Sequence, residues 1–73
     1  MSHWNYRVMR RQYKNDDDPV YTIHEVYYND NGDVEGHTQD AVYAYGNTAE
    51  ELKADLELML LAFDKPVLEY SEE

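Results

Sequence analysis

The stretch from Thr48 to Phe63, TAEELKADLELMLLAF, constrains this chain most, because it can be a helix and little else. Thr48 followed by Glu51 reads as a capping box, in which the threonine hydroxyl accepts from an early backbone N–H and the glutamate reaches back to the N–H of the cap residue. Glu50 and Glu51 lie in the first turn, where carboxylates oppose the positive end of the helix dipole. No proline or glycine interrupts the run before Pro66, so the helix should stop near Phe63 or Asp64. Leu52, Leu56, Met59, Leu60 and Phe63 recur at three- and four-residue spacing and form one stripe predicted to face a core.

Leu58 and Leu61 fall on the opposite side of the helical wheel, beside Ala54 and Ala62. Two coverings suit them. The returning segment Pro66–Tyr70 could lie over that side, or Leu58 and Leu61 could form a homodimer contact, since a helix apolar all round is normally buried all round.

Upstream, the period changes from 3.6 to two. His3 to Tyr13 reads as a strand in which Trp4, Tyr6 and Val8 alternate with Asn5, Arg7 and Met9. Asn15-Asp16-Asp17-Asp18-Pro19 is a turn, and its consecutive carboxylates read as solvated rather than as a cation site. Val20 to Tyr28, VYTIHEVYY, is rich in β-branched and aromatic residues and should be the central strand. Its Tyr21, Ile23, Glu25 and Tyr27 share one face, and Val20, Thr22, His24, Val26 and Tyr28 the other. Asn29-Asp30-Asn31-Gly32-Asp33 supplies an Asn-Gly hairpin signal, which makes the second and third strands antiparallel neighbours. With Gly32 as the sixth position of a calcium loop, positions one and twelve would be Tyr27 and Thr38; neither is a carboxylate, and that reading fails. Asp33 to Thr38 forms a short third strand, Ala41 to Tyr45 extends it after a bend, and Gly46 and Asn47 turn the chain into the helix.

The expected fold is therefore α+β: an antiparallel sheet of three to four strands with one C-terminal helix packed on one face, in the order βββα with a possible short final strand. The 73 residues make one domain, and a chain this short buries only about 60% of its unfolded surface, so dimerisation would help it. Ser71-Glu72-Glu73 should fray. There is no cysteine, which excludes disulfides and a thiol nucleophile and suits a reducing cytoplasm. No apolar run approaches a membrane span of about 18 residues, and the polar MSHWNYR start lacks the apolar core of a signal peptide.

Six Lys and Arg stand against sixteen Asp and Glu, a net charge of −10. Arg7, Arg10, Arg11 and Lys14 precede the first acid, so residues 1–14 carry +4 and the remainder −14. Direct nucleic-acid binding, which needs bases to neutralise phosphates, is not expected, whereas a protein partner is. The only serines, Ser2 and Ser71, sit at the ends, where nothing holds them against a base, and no enzyme is expected. His24 and His37 could approach across the hairpin, but two imidazoles without a third ligand make a poor zinc site, so they read as partly exposed strand residues. Glu25 and Glu35 could face each other without a pocket to act in. No cofactor or metal is implied.

Eight tyrosines with Trp4 and Phe63 exceed what one helix can cover. An open sheet face carrying Tyr6, Tyr21, Tyr27 and Tyr43 near Arg7 and Arg11 is the expected partner-binding surface, because Tyr and Trp bury area at low entropic cost. The helix carboxylates Glu50, Glu51, Asp55 and Glu57 offer an alternative, mimicry of nucleic-acid phosphates toward a nucleic-acid-binding protein.

The segments WNYRVMRR, IHEVYY and EELKADLELMLLAF followed by DKPVL resemble a family of small bacterial proteins of uncharacterised role, over nearly the whole chain. The resemblance implies a small cytoplasmic α+β protein and supplies no catalytic residues. Gly46, Thr48, Glu50 and Glu51 are also similar to the G-x-T-x-E-E helix entry of HicB-like antitoxins, which implies neutralising a basic RNA-binding partner through protein contact. An evident DNA-binding extension is lacking here.

Overall fold

The computed structural model describes residues 3–70; the terminal Ser71-Glu72-Glu73 and Ser2 lie outside the described residues. Three strands come first: β1 (His3–Arg11), β2 (Val20–Tyr28) and β3 (Val34–His37). Helix α1 (Ala49–Leu60) follows and runs into a 3-10 turn (Leu61–Asp64), and the chain returns as the two-residue strand β4 (Leu68–Glu69). The sheet order is β3-β2-β1-β4. β1 pairs antiparallel with β2 from His3↔Tyr28 to Arg11↔Val20, and β2 pairs antiparallel with β3. β4 pairs parallel with β1. The sheet is therefore mixed, not purely antiparallel as expected, because a helix carries the chain back across the sheet before it reaches the free edge of β1.

The turn after β2 is organised by Asn29, whose side-chain oxygen accepts from the N–H groups of Asn31 (2.9 Å) and Asp33 (3.0 Å). Gly32 supplies the one positive φ in the described chain, 86°. Beyond it, Tyr27 faces Gly36 and Tyr28 faces Val34, so Glu35 is an extra residue in a bulge. A bulge sharpens the local twist. Beyond β3 the chain continues beside β2, with Thr38 N–H donating to Glu25 O and Val42 N–H to Ile23 O.

The twisted sheet curls into a half-barrel, and the residue after β4 closes it. The Tyr70 N–H donates to Arg10 O at one sheet edge, and its hydroxyl donates to Gln39 O at the other, 3.0 Å away. By the register, the concave face carries Asn5, Arg7, Met9, His24, Val26 and Tyr28, of which Arg7, Met9, His24 and Val26 are buried. The convex face carries Trp4, Tyr6, Val8, Ile23, Glu25 and Tyr27, and α1 lies against it. The alternation along β1 and β2 gave these two residue sets; curling decides which set is inside.

The helix starts as expected. Thr48 accepts from Glu51 N–H at 3.1 Å, although Glu51 reaches back to Asn47 N–H, one residue before the cap. The apolar stripe is a correction. In α1 only Met59 is buried, with Ala62 in the following turn, while Leu52, Leu56, Leu60 and Phe63 are exposed. A convex surface touches a cylinder along one line, so the helix seats only the line through Asp55, Met59 and Ala62. Gly46 fits against the first turn of α1 so closely that a Cβ there would lie 2.7 Å from Glu51 C and closer still to Leu52 N.

Candidate functional site

Two regions can be weighed as sites. The concave interior is polar. Arg7 donates to Tyr28 Oη (2.9 Å) and Pro66 O (2.7 Å), and Tyr28 in turn donates to Asn5 (2.8 Å). The Arg7 Nε is buried and has no hydrogen-bond partner. His24 is flanked by Thr22 Oγ1 at 2.7 Å and Thr38 O at 3.0 Å; a carbonyl can only accept, so Nδ1 carries the proton and Nε2 accepts from the Thr22 hydroxyl. His37 also donates through Nδ1 to Thr38 O, at 2.7 Å. The rings of His24 and His37 meet edge to face at 5.9 Å, and Tyr70 packs on His37 at 4.7 Å.

The two histidines thus approach across the hairpin as expected, but His24 is buried rather than partly exposed. Burial pushes its pKa below the ordinary value, with His37 and Arg11 adding to the effect and the Thr38 carbonyl and Asp40 opposing it. No cluster of three metal-ligating side chains occurs among the described residues. Apart from Arg7 Nε, the buried hydrogen-bonding atoms of these groups are taken up by neighbouring side chains and backbone carbonyls of the same interior.

The convex side differs. Tyr6 donates to Asp55 Oδ1 at 2.7 Å, and Asp55 Oδ2 accepts from Tyr45 N–H at 3.0 Å. One carboxylate therefore ties the helix to both β1 and the chain that enters it. Burial, then the Asp55 hydrogen bond and the charges of Asp55 and Glu25, pushes the Tyr6 pKa up to about 12. The hydrogen bond to Glu25, 2.9 Å long, likewise raises Tyr27.

Below α1 run two contiguous grooves that share Tyr6 and Leu58. One, of about 380 Å³, lies between Trp4, Leu58, Leu61 and Lys65. The other, of about 630 Å³, lies between Glu25, Tyr43, Tyr45 and Ala54. Trp4 stands edge-on to Tyr6 at 5.2 Å, which fixes its ring at the groove mouth. Above α1, Phe63 overhangs a third groove of about 310 Å³ floored by Val8, Ile23 and Val42.

The residues expected to share one open face are therefore divided. Tyr6, Tyr21 and Tyr27 lie on the helix-bearing convex face, with Tyr21 and Tyr43 exposed and Tyr6 and Tyr27 half-buried. Arg7 is buried on the other side and cannot meet a partner. Arg11 stacks between the rings of Tyr13 (4.6 Å) and Tyr70 (4.1 Å). Leu58 and Leu61 are exposed, because Pro66–Tyr70 runs to the edge of β1 instead of over them. Sequence reasoning missed the participation of Trp4 and the anchoring by Asp55; a lone acid on an amphipathic helix carries no signal that it faces a tyrosine.

Comparison with protein-family models, with curated proteins and with solved structures returns no match.

Proposed function

We propose that this protein is a non-enzymatic protein-binding module that docks partners on the convex face beside α1. One observation carries the reading: five leucines and Phe63, from Leu52 to Phe63, stand exposed at 39–65% on a helix and following 3-10 turn whose only buried side chains are Met59 and Ala62. An apolar surface of that extent is held in water at a cost and marks an interaction site. Exposed Trp4, Tyr43 and Tyr45 add aromatic anchors of the type that dominate binding hot spots.

The alternative, phosphate mimicry by the helix carboxylates, has less to offer a partner. Of Glu50, Glu51, Asp55 and Glu57, Glu51 and Asp55 are already committed to backbone and side-chain donors of this chain. An antitoxin-like role is one form the binding reading can take, with a basic protein as partner.

The test is capture from a bacterial lysate by tagged wild-type chain and by the doubly substituted Leu56→Glu/Phe63→Glu chain, washed at low and at moderate salt. Proteins retained through moderate salt and lost with the double variant support apolar docking. Retention of the same proteins by both chains removes it, and a partner lost from the wild type at moderate salt favours mimicry.

A further inference from the structure

We propose that the two contiguous grooves below α1 bind a second copy of this chain, in a two-fold interface centred on Leu58 and Leu61. The inference rests on the binding reading above and names the occupant of one flank. The other flank, with Leu56, Leu60 and Phe63, remains for a different partner.

Three observations point to a second copy. The first is area. Trp4, Leu58, Leu61, Tyr43 and Tyr45 are exposed at 52%, 52%, 57%, 79% and 65% along one side of the helix. Together they offer on the order of 650 Å² of mostly apolar surface, against about 800 Å² per partner in a standard interface, and the polar rim supplies the difference. The chain as a whole exposes 5744 Å², roughly 1000 Å² more than a compact monomer of its mass.

The second is the size of the core. Among the described residues the buried apolar side chains are Val8, Met9, Val26, Met59 and Ala62, too few for a domain this size to be robust alone. A second copy supplies such a cover wherever the chain is concentrated enough to pair, with no other partner required.

The third is charge. The surface has a basic end at Lys65 and an acidic end at Glu25. A two-fold axis reverses the patch, because residue i meets residue j and j meets i. Each copy's Lys65 is thereby set against the acidic end of the other. Ala54, the small residue on this side of α1, lets the two helices approach closely.

Sedimentation equilibrium of the full chain at micromolar to hundreds-of-micromolar concentration tests this. The expected result is a species of twice the 8.7 kDa chain mass, with a concentration-dependent shift in Trp4 fluorescence. Because both copies are strongly acidic, association should hold or tighten as salt rises. Leu58→Glu/Leu61→Glu should be monomeric with an unchanged far-ultraviolet circular dichroism spectrum. Should that variant fail to fold, Lys65→Glu decides: it alters a surface charge and should weaken association about tenfold.

A monomer at the highest concentration overturns the proposal, as does a dimer indifferent to Lys65→Glu or to a folded Leu58→Glu/Leu61→Glu. Capture that depends on Leu56 and Phe63 by a monomeric chain would sink the dimer and keep the binding reading. A monomer that captures nothing would sink both.

Discussion

The concave and convex faces of the same strands invert the usual assignment of residues. Inside the half-barrel sit Arg7, His24, His37 and Tyr28, held by one another and by backbone carbonyls; outside sit leucines and a phenylalanine with nothing over them. The difference teaches that hydrogen-bonding geometry, as much as hydrophobicity, sets what a small curled sheet encloses. A cation and an imidazole can be buried when carbonyls and hydroxyls converge on them, whereas leucines stay bare when the surface beneath them curves away.

The comparison breaks most sharply at Met9, which is 2% exposed in the concave interior. Met9→Ala should cost about 3 kcal/mol in denaturant unfolding. A cost under about 1 kcal/mol would mean that the interior is loosely held and that the contrast is false. Gly46→Ala should come next, at about 2 kcal/mol, because the added methyl meets helix backbone that cannot yield by changing rotamer. Thr48→Ala removes the acceptor for Glu51 N–H and should cost about 1 kcal/mol. An unchanged unfolding midpoint would dissociate the cap from helix stability.

Acid sharpens the comparison more gently. The folded pKa of His24 lies below its unfolded value near 6.5, so the unfolded chain binds the proton first. The stability tied to neutral His24 is fully present above about pH 6.5 and is lost as pH falls toward the folded pKa. A His24→Gln chain should show a flatter pH dependence over that window, and identical slopes in the two proteins would remove His24 as the cause. Smallest of all, Leu60→Ser should shift the stability of the isolated chain by no more than about 0.5 kcal/mol, although its spacing marks it as core. A loss of about 2 kcal/mol would place Leu60 under cover and reverse the reading of the convex face.

Local rules carried the sequence reading a long way. Thr48 and Glu51 placed the helix start, alternation in VYTIHEVYY separated its two faces, and the Asn-Gly pair joined β2 to β3. What escaped was set at long range. Nothing near Leu68 states that it will pair parallel with Met9, and the curl depends on Tyr70 reaching Gln39, 31 residues earlier in the chain. Without the curl, the tyrosines and arginines seemed to share an open face, and the leucine stripe seemed to have a floor. Leu58 and Leu61 were legible as a misfit to the stripe, since they broke a pattern that a single core would impose.

The phenol of Tyr6 makes the helix seat visible to light. Ionised tyrosine absorbs at longer wavelength than the neutral ring, so an alkaline titration counts which rings surrender their protons and when. A tyrosine in an unfolded chain does so near pH 10, whereas Tyr6 should wait until about 12, because burial disfavours its phenolate and the Asp55 carboxylate would face it at hydrogen-bond distance. In the unfolded chain nothing delays it. Alkali between those limits therefore draws protons preferentially from unfolded molecules and erodes the fold. A late-titrating absorbance that is absent from Asp55→Asn belongs to Tyr6, and its loss from the native chain would report, without any added label, that α1 has left the sheet.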